Sequence, residues 1–124
     1  MLTVSVLDKR LIHYKSRSLK LSRWLMKDLK QADLYLEIFI VGNKLMPKNV
    51  LSFPADQKFP RPDLKQKPLG EIYLNPSYIK QQGEDFDYML IHGFLHLLGY
   101  DHIRKSDRIV MEQKEIELLG QYKK

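Results

Sequence analysis

The run from His92 to His102 reads His-Gly-Phe-Leu-His-Leu-Leu-Gly-Tyr-Asp-His and holds three of the four histidines of a 124-residue chain, at a spacing that few folds can accommodate. A four-residue step on an α-helix puts two side chains on one face, one turn apart, so His92 and His96 can point at a single ion. His102 cannot reach that face by continuing the helix. Gly99, three residues after His96, can take the left-handed conformation that ends a helix, and the turn it permits swings His102 back toward the other two. The surrounding stretch, Tyr88 to Leu98, is the most apolar in the chain; it is too short to cross a membrane and reads as a buried core helix. Two neutral imidazoles on such an apolar face cost free energy unless each has a partner, and one metal ion satisfies both.

Three converging imidazoles make a zinc site with metal–nitrogen distances of about 2.0–2.1 Å and a fourth position open to water. Structural zinc sites usually fill all four positions, often with Cys, and the chain has none. An active site is therefore the expectation. The spacing is also similar to the metzincin protease skeleton H-E-x-x-H-x-x-G-x-x-H at every His and at the Gly. Where those proteases carry the glutamate that serves as general base, this chain has Gly93, which cannot take a proton. Peptide hydrolysis by that route is disfavoured. A glycine inside a helix costs about 1 kcal/mol relative to alanine, so close approach of another element or of substrate, or simple tight packing, accounts for Gly93. Asp101 is a candidate for proton transfer or for holding the free nitrogen of a ligand His, although an Asp that stabilises a turn is the commoner case. His13 stands apart and reads as a surface residue.

The same segment resembles the signature H-G-x-L-H-L-x-G-Y-D-H of the YbeY family, bacterial single-zinc endoribonucleases tied to ribosomal RNA maturation. Upstream, Asn49-Val50-Leu51-Ser52-Phe53-Pro54 is similar to the family's T-[DN]-V-L-S-F-P strand, and Leu69-Gly70-Glu71-Ile72 to its L-G-[DE]-I strand. Downstream, Met111-Glu112 and Leu118-Leu119-Gly120 resemble its closing helix. The resemblance implies His92, His96 and His102 as ligands of one Zn2+, and RNA, either ribosomal RNA or the small ribosomal subunit, as partner. It also implies a substrate groove bordered by Leu51 to Phe53, with Ser52 and a lysine, Lys44 or Lys48, placed to meet phosphate. Members usually carry a Tyr-Arg pair before this strand; an ungapped count puts that arginine at Gly42 and the family's Thr at Lys48. No arginine lies between Arg23 and Arg61. A lysine is a point charge and cannot make the two-pronged phosphate contact of a guanidinium, so the family's arginine is not carried over.

Charge is unevenly spread along the chain. Residues 1 to 67 hold 14 Lys and Arg against 6 Asp and Glu, whereas residues 68 to 124 hold 7 against 9, so the basic surface belongs to the first half. Lys20, Arg23, Lys27 and Lys30 recur at helical intervals opposite Leu21, Leu25 and Leu29. Such a stripe can follow a phosphate backbone, and is equally a solvated helix face. The length and the 44% hydrophobic content suit one domain, 1–124. The lack of Cys, of a secretory signal and of an apolar run of about 18 residues points to a soluble cytoplasmic protein with no membrane partner.

The pattern predicts an α+β fold, a small mixed four-stranded sheet packed against helices with the metal site at the end of a central helix. Strands are expected over Leu2 to Leu7, Leu34 to Val41, Asn49 to Phe53 and Leu69 to Leu74. A first helix is expected from a Ser16 or Ser18 cap to about Gln31, with Trp24 on its buried side. Pro76 to Gln82, Asp85 to Leu98 and Ser106 to Leu119 form the others. Pro54, Pro60, Pro62 and Pro68 bracket a long loop. The expected activity is zinc-dependent hydrolysis of RNA phosphodiesters. Two alternatives stand beside it: a ribosome-assembly factor whose zinc is mainly structural, and a zinc hydrolase of another substrate. Oligomeric state, the RNA and the bond cut are not legible.

Overall fold

A computed structural model describes residues 1–55 and 66–124. Its elements run β1 (Leu2–Val6), a 3-10 turn (Lys9–Leu11), α1 (Tyr14–Asp28), β2 (Tyr35–Ile40), β3 (Val50–Pro54), β4 (Pro68–Leu74), α2 (Pro76–Gln81), α3 (Phe86–Leu97) and α4 (Lys105–Tyr122). The sheet order is β1-β2-β4-β3, with β1, β2 and β4 parallel and β3 antiparallel to β4. The α+β class and the mixed four-stranded sheet are as the alternation of apolar and polar residues predicts. In β2 and β4, Leu36, Ile38, Ile40, Ile72 and Leu74 all point to one face and are fully buried there. The helices pack on that face, α1 against β1 and β2 and α3 against β3 and β4.

Local chemistry sets most boundaries. Asp85 caps α3 by accepting the Tyr88 N–H at 2.9 Å, and Asn75 caps α2 by accepting the Tyr78 N–H at 3.1 Å, with Pro76 at the first helical position. The start of α1 differs from the expectation. Neither Ser16 nor Ser18 is its cap; the helix begins two residues before Ser16, behind His13, which makes no capping hydrogen bond. Ser18 is buried within it and donates its hydroxyl back to the Tyr14 carbonyl at 2.8 Å, the alternative partner open to a serine inside a helix. The helix also stops at Asp28, short of Gln31, with Lys30 at a φ of 57°. Pro54 and Pro68 are strand ends rather than loop, which a proline tolerates at the first or an edge position; Pro60 and Pro62 lie outside the described residues.

What brings the histidines to the sheet is the contact of α3 with β3. A Cβ on Gly93 would lie 3.0 Å from Ser52 Oγ, 3.0 Å from Val50 Cγ2 and 3.1 Å from Ile72 Cγ2. The glycine is thus the point where the helix rests directly on the strands, which settles the question its position raised. Ser52 seals the contact by donating its hydroxyl to the Gly93 carbonyl at 2.8 Å.

Candidate metal centre

His92 and His96 leave α3 on one face, one turn apart, with ring centroids 4.6 Å from each other. The helix then ends at Leu98 and Gly99. With a φ of 97°, Gly99 donates its N–H to the His96 carbonyl at 3.1 Å while the Tyr100 N–H reaches the Leu95 carbonyl at 3.1 Å. These two bonds are the Schellman closure that a left-handed glycine allows. The chain reverses, and the His102 ring comes to 5.1 Å from His96 and 5.9 Å from His92. One nitrogen from each ring lies within 4.8 Å of the others, so the three could hold a metal ion.

The donor set fits such an ion. Nitrogens bound tetrahedrally at about 2.0–2.1 Å from zinc lie roughly 3.3 Å apart, and Nε2 of His92 is 3.1 Å from Nε2 of His96. Two facing lone pairs at that distance repel unless a proton or a cation lies between them. Burial above all, and then His92 and His102, push the His96 imidazole below its ordinary value, while a hydrogen bond to the Tyr100 backbone and the Glu115 charge oppose the shift. The neutral, metal-ligating form of His96 is therefore favoured.

Sequence reading missed two residues beneath the rings. Glu115 of α4, only 2% exposed, meets Nδ1 of His92 at 2.5 Å and accepts the Tyr88 hydroxyl at 2.8 Å. Burial first, and then the hydrogen bond to Glu115, push the Tyr88 phenol up, so it stays a donor. A signal existed: α4 buries only Met111, Glu115 and Leu118, so one charged residue stands on a four-residue, then three-residue apolar stripe.

Grooves flank the rings on both sides. One of about 480 Å³ is lined by the histidines, Met89 and the β3 edge, including Lys48, Leu51, Ser52 and Pro54. The other, about 380 Å³, lies toward α4 and is lined by His92, His102, Tyr88, Glu84, Arg108 and Glu112, among others. Lys48 is thus beside the cluster, whereas the exposed Lys44 is not among the lining residues. Ser52 borders the groove with its proton already given to Gly93. Phe53 turns to the opposite sheet face, edge-on to Tyr73 at 5.7 Å. Asp101 accepts the Ile103 N–H at 3.3 Å and lines a separate depression with Leu98, Gly99 and Asp107, so its structural partner is the turn. Gly42 sits against Asp8, where a Cβ would meet Oδ2 at 2.8 Å, and lines neither groove. His13 is exposed beside Tyr14. Lys20, Arg23 and Lys27 are exposed on α1, over the half of the sheet away from β3.

Among the described residues no helix is long and apolar enough to cross a membrane. The family model described as "Endoribonuclease YbeY" matches residues 40–123. The chain is 39% identical over 88 residues to the "Endoribonuclease YbeY" of Alcanivorax borkumensis, covering 64% of this chain and 50% of the relative. To that of Rhodopseudomonas palustris (strain BisB18) it is 42% identical over 84 residues, covering 60% and 50%. To that of Wolbachia sp. subsp. Drosophila simulans it is 39% identical over 82 residues, covering 60% and 51%. The chain spans about half the length of the curated relatives it matches. Since the matched residues take in the β3 edge, the three converging histidines and the α4 carboxylate beneath them, the chain belongs to the YbeY family.

Proposed function

We propose that this chain is a metal-dependent endoribonuclease that hydrolyses RNA phosphodiesters in ribosomal RNA maturation or ribosome quality control in the cytoplasm, using one zinc ion held by His92, His96 and His102. The observation that carries this reading is the convergence of three imidazoles with no carboxylate at the place where a protease of similar spacing keeps its base. When bound, zinc supplies Lewis acidity that polarises a phosphoryl oxygen and acidifies water. Three neutral imidazoles leave the charge of the cation uncancelled, which suits an anionic transition state.

Charge on the two sides of the cluster favours one approach for the substrate. Among the described residues the β3-side groove is lined by Lys48 and by no carboxylate, whereas Glu84, Glu112 and Glu115 line the α4 side together with Arg108. A polyanion is drawn to the former and repelled by most of the latter. Lys48 therefore serves as the phosphate contact, Ser52 holds the strand against α3, and the β3 edge gives the RNA a straight wall.

An assay of the purified chain on structured RNA and on peptides, with zinc and with a chelator, tests the reading. Zinc-dependent RNA cleavage that His96→Ala abolishes in a folded protein is the expected result. Peptide cleavage alone, or RNA processing that survives His96→Ala, overturns it.

A further inference from the structure

We propose that Glu115, itself held by Tyr88, is the positioning residue of the metal centre: it fixes the His92 ring in the tautomer that turns a bare Nε2 toward the ion. The proposal rests on the metal-binding reading above and extends it to a helix outside the histidine run.

The two oxygens of Glu115 are divided between two partners. Oε1 accepts the Tyr88 hydroxyl at 2.8 Å, and Oε2 lies 2.5 Å from His92 Nδ1. A carboxylate only accepts, so the proton on this second bond belongs to Nδ1. A neutral imidazole with its proton on Nδ1 keeps the lone pair on Nε2, the atom that faces His96 Nε2 at 3.1 Å. The carboxylate thus selects the ligating nitrogen. Metal-binding histidines commonly give their second N–H to such an acceptor, which sets ring orientation and raises ligand basicity.

Burial argues in the same direction. Packing alone does not call for a charge at position 115, because Met111 and Leu118 on the same stripe show that an apolar side chain suits this seam. A carboxylate that is 2% exposed and has a phenol and an imidazole as partners loses hydration that neutral donors do not fully restore. A divalent cation one imidazole away offsets that loss. Tyr88 lies on α3 one turn before His92, so a single helix supplies both the ligand and the group that holds its orienter.

The full chain is titrated with zinc against a competing chelator, and the His92 ring is read by long-range proton–nitrogen NMR with and without zinc. In the metal-free wild type His92 carries its proton on Nδ1. Glu115→Gln keeps the shape and brings in a donor; zinc affinity falls about 10- to 100-fold, and the His92 tautomer is lost while circular dichroism still reports a folded chain. Tyr88→Phe, which leaves the carboxylate in place, costs less than Glu115→Gln, and Glu117→Gln, on the exposed side of α4, changes neither readout. Wild-type zinc affinity in a folded Glu115→Gln, or an Nε2-protonated His92 in the metal-free wild type, overturns the positioning role and leaves the metal centre standing. A wild type that takes up no zinc at all removes both. The tautomer measurement needs no variant, so the test holds even if Glu115→Gln fails to fold.

Discussion

The helices α3 and α4 meet at the histidine cluster and contribute to it in opposite ways. α3 is buried on nearly every side; His92 and His96 are half-buried on it, and Asp87, at its first turn, is buried against Arg17 and Lys123. α4 is exposed over most of its circumference, and its one buried charge is the interruption of a narrow apolar stripe. On α4 the residue that breaks the burial pattern, Glu115, meets the cluster, whereas on α3 the buried charge of Asp87 serves an ion pair with Arg17 away from it. The difference lies in reach: the two histidines of α3 are grouped by local spacing, whereas Glu115 meets His92 from 23 residues away in sequence. The histidines that could hold an ion are grouped by local spacing and a glycine turn, and the carboxylate that meets one of them is brought there by packing.

Five measurements put the contrast between α3 and α4 at risk. The largest effect belongs to Phe94→Ala, which empties a fully buried site at the centre of α3; urea unfolding should show a loss of about 3–5 kcal/mol. His96→Ala should leave the fold intact and lower zinc affinity by more than the roughly 100-fold that loss of an outer partner costs, read by competition with a chelator. Gly99→Ala meets no steric neighbour, yet it forces an L residue to a φ of 97°; a loss of about 1–2 kcal/mol on unfolding is expected. Gly93→Ala gains about 1 kcal/mol of helix propensity and loses about 1–3 kcal/mol to overpacking against β3. The net outcome is a small destabilisation, and a stabilised variant would show that the strand can yield.

The fifth measurement concerns pH. The depressed folded value of His96 means that the unfolded chain takes up its proton first, at about pH 6.5. The associated stability is fully present above that pH and is lost as pH falls through the folded value. Denaturant midpoints of the metal-free protein at pH 7.5 and pH 5.5 should therefore differ, and His96→Ala should narrow the difference.

Much of the fold could be read along the chain, because alternation in β1, β2 and β4, the 3.6-residue period of α1 and the apolar run of α3 are local properties. The starts of α2 and α3 lie within a residue of the expected ones, and there the Asn75 and Asp85 side chains accept from their own helix backbones. The cap of α1 was misread, since Ser18 can bond forward as a cap or backward within the helix, and it is buried there with its hydroxyl on the Tyr14 carbonyl. The role of Asp101 was open for a similar reason: a carboxylate next to His102 in sequence can meet that ring or the turn, and in the structure it accepts the Ile103 N–H of the turn.

By itself the order of residues determined that three imidazoles would gather at a helix end, since a four-residue step and a left-handed glycine act within a few bonds of each other. What surrounds them was set by the packing of distant elements. Which strand covers Gly93, which lysine faces the groove and which carboxylate stands behind His92 depend on contacts between elements far apart in sequence. Such contacts form when buried faces find complementary shapes, and no short-range rule encodes the pairing.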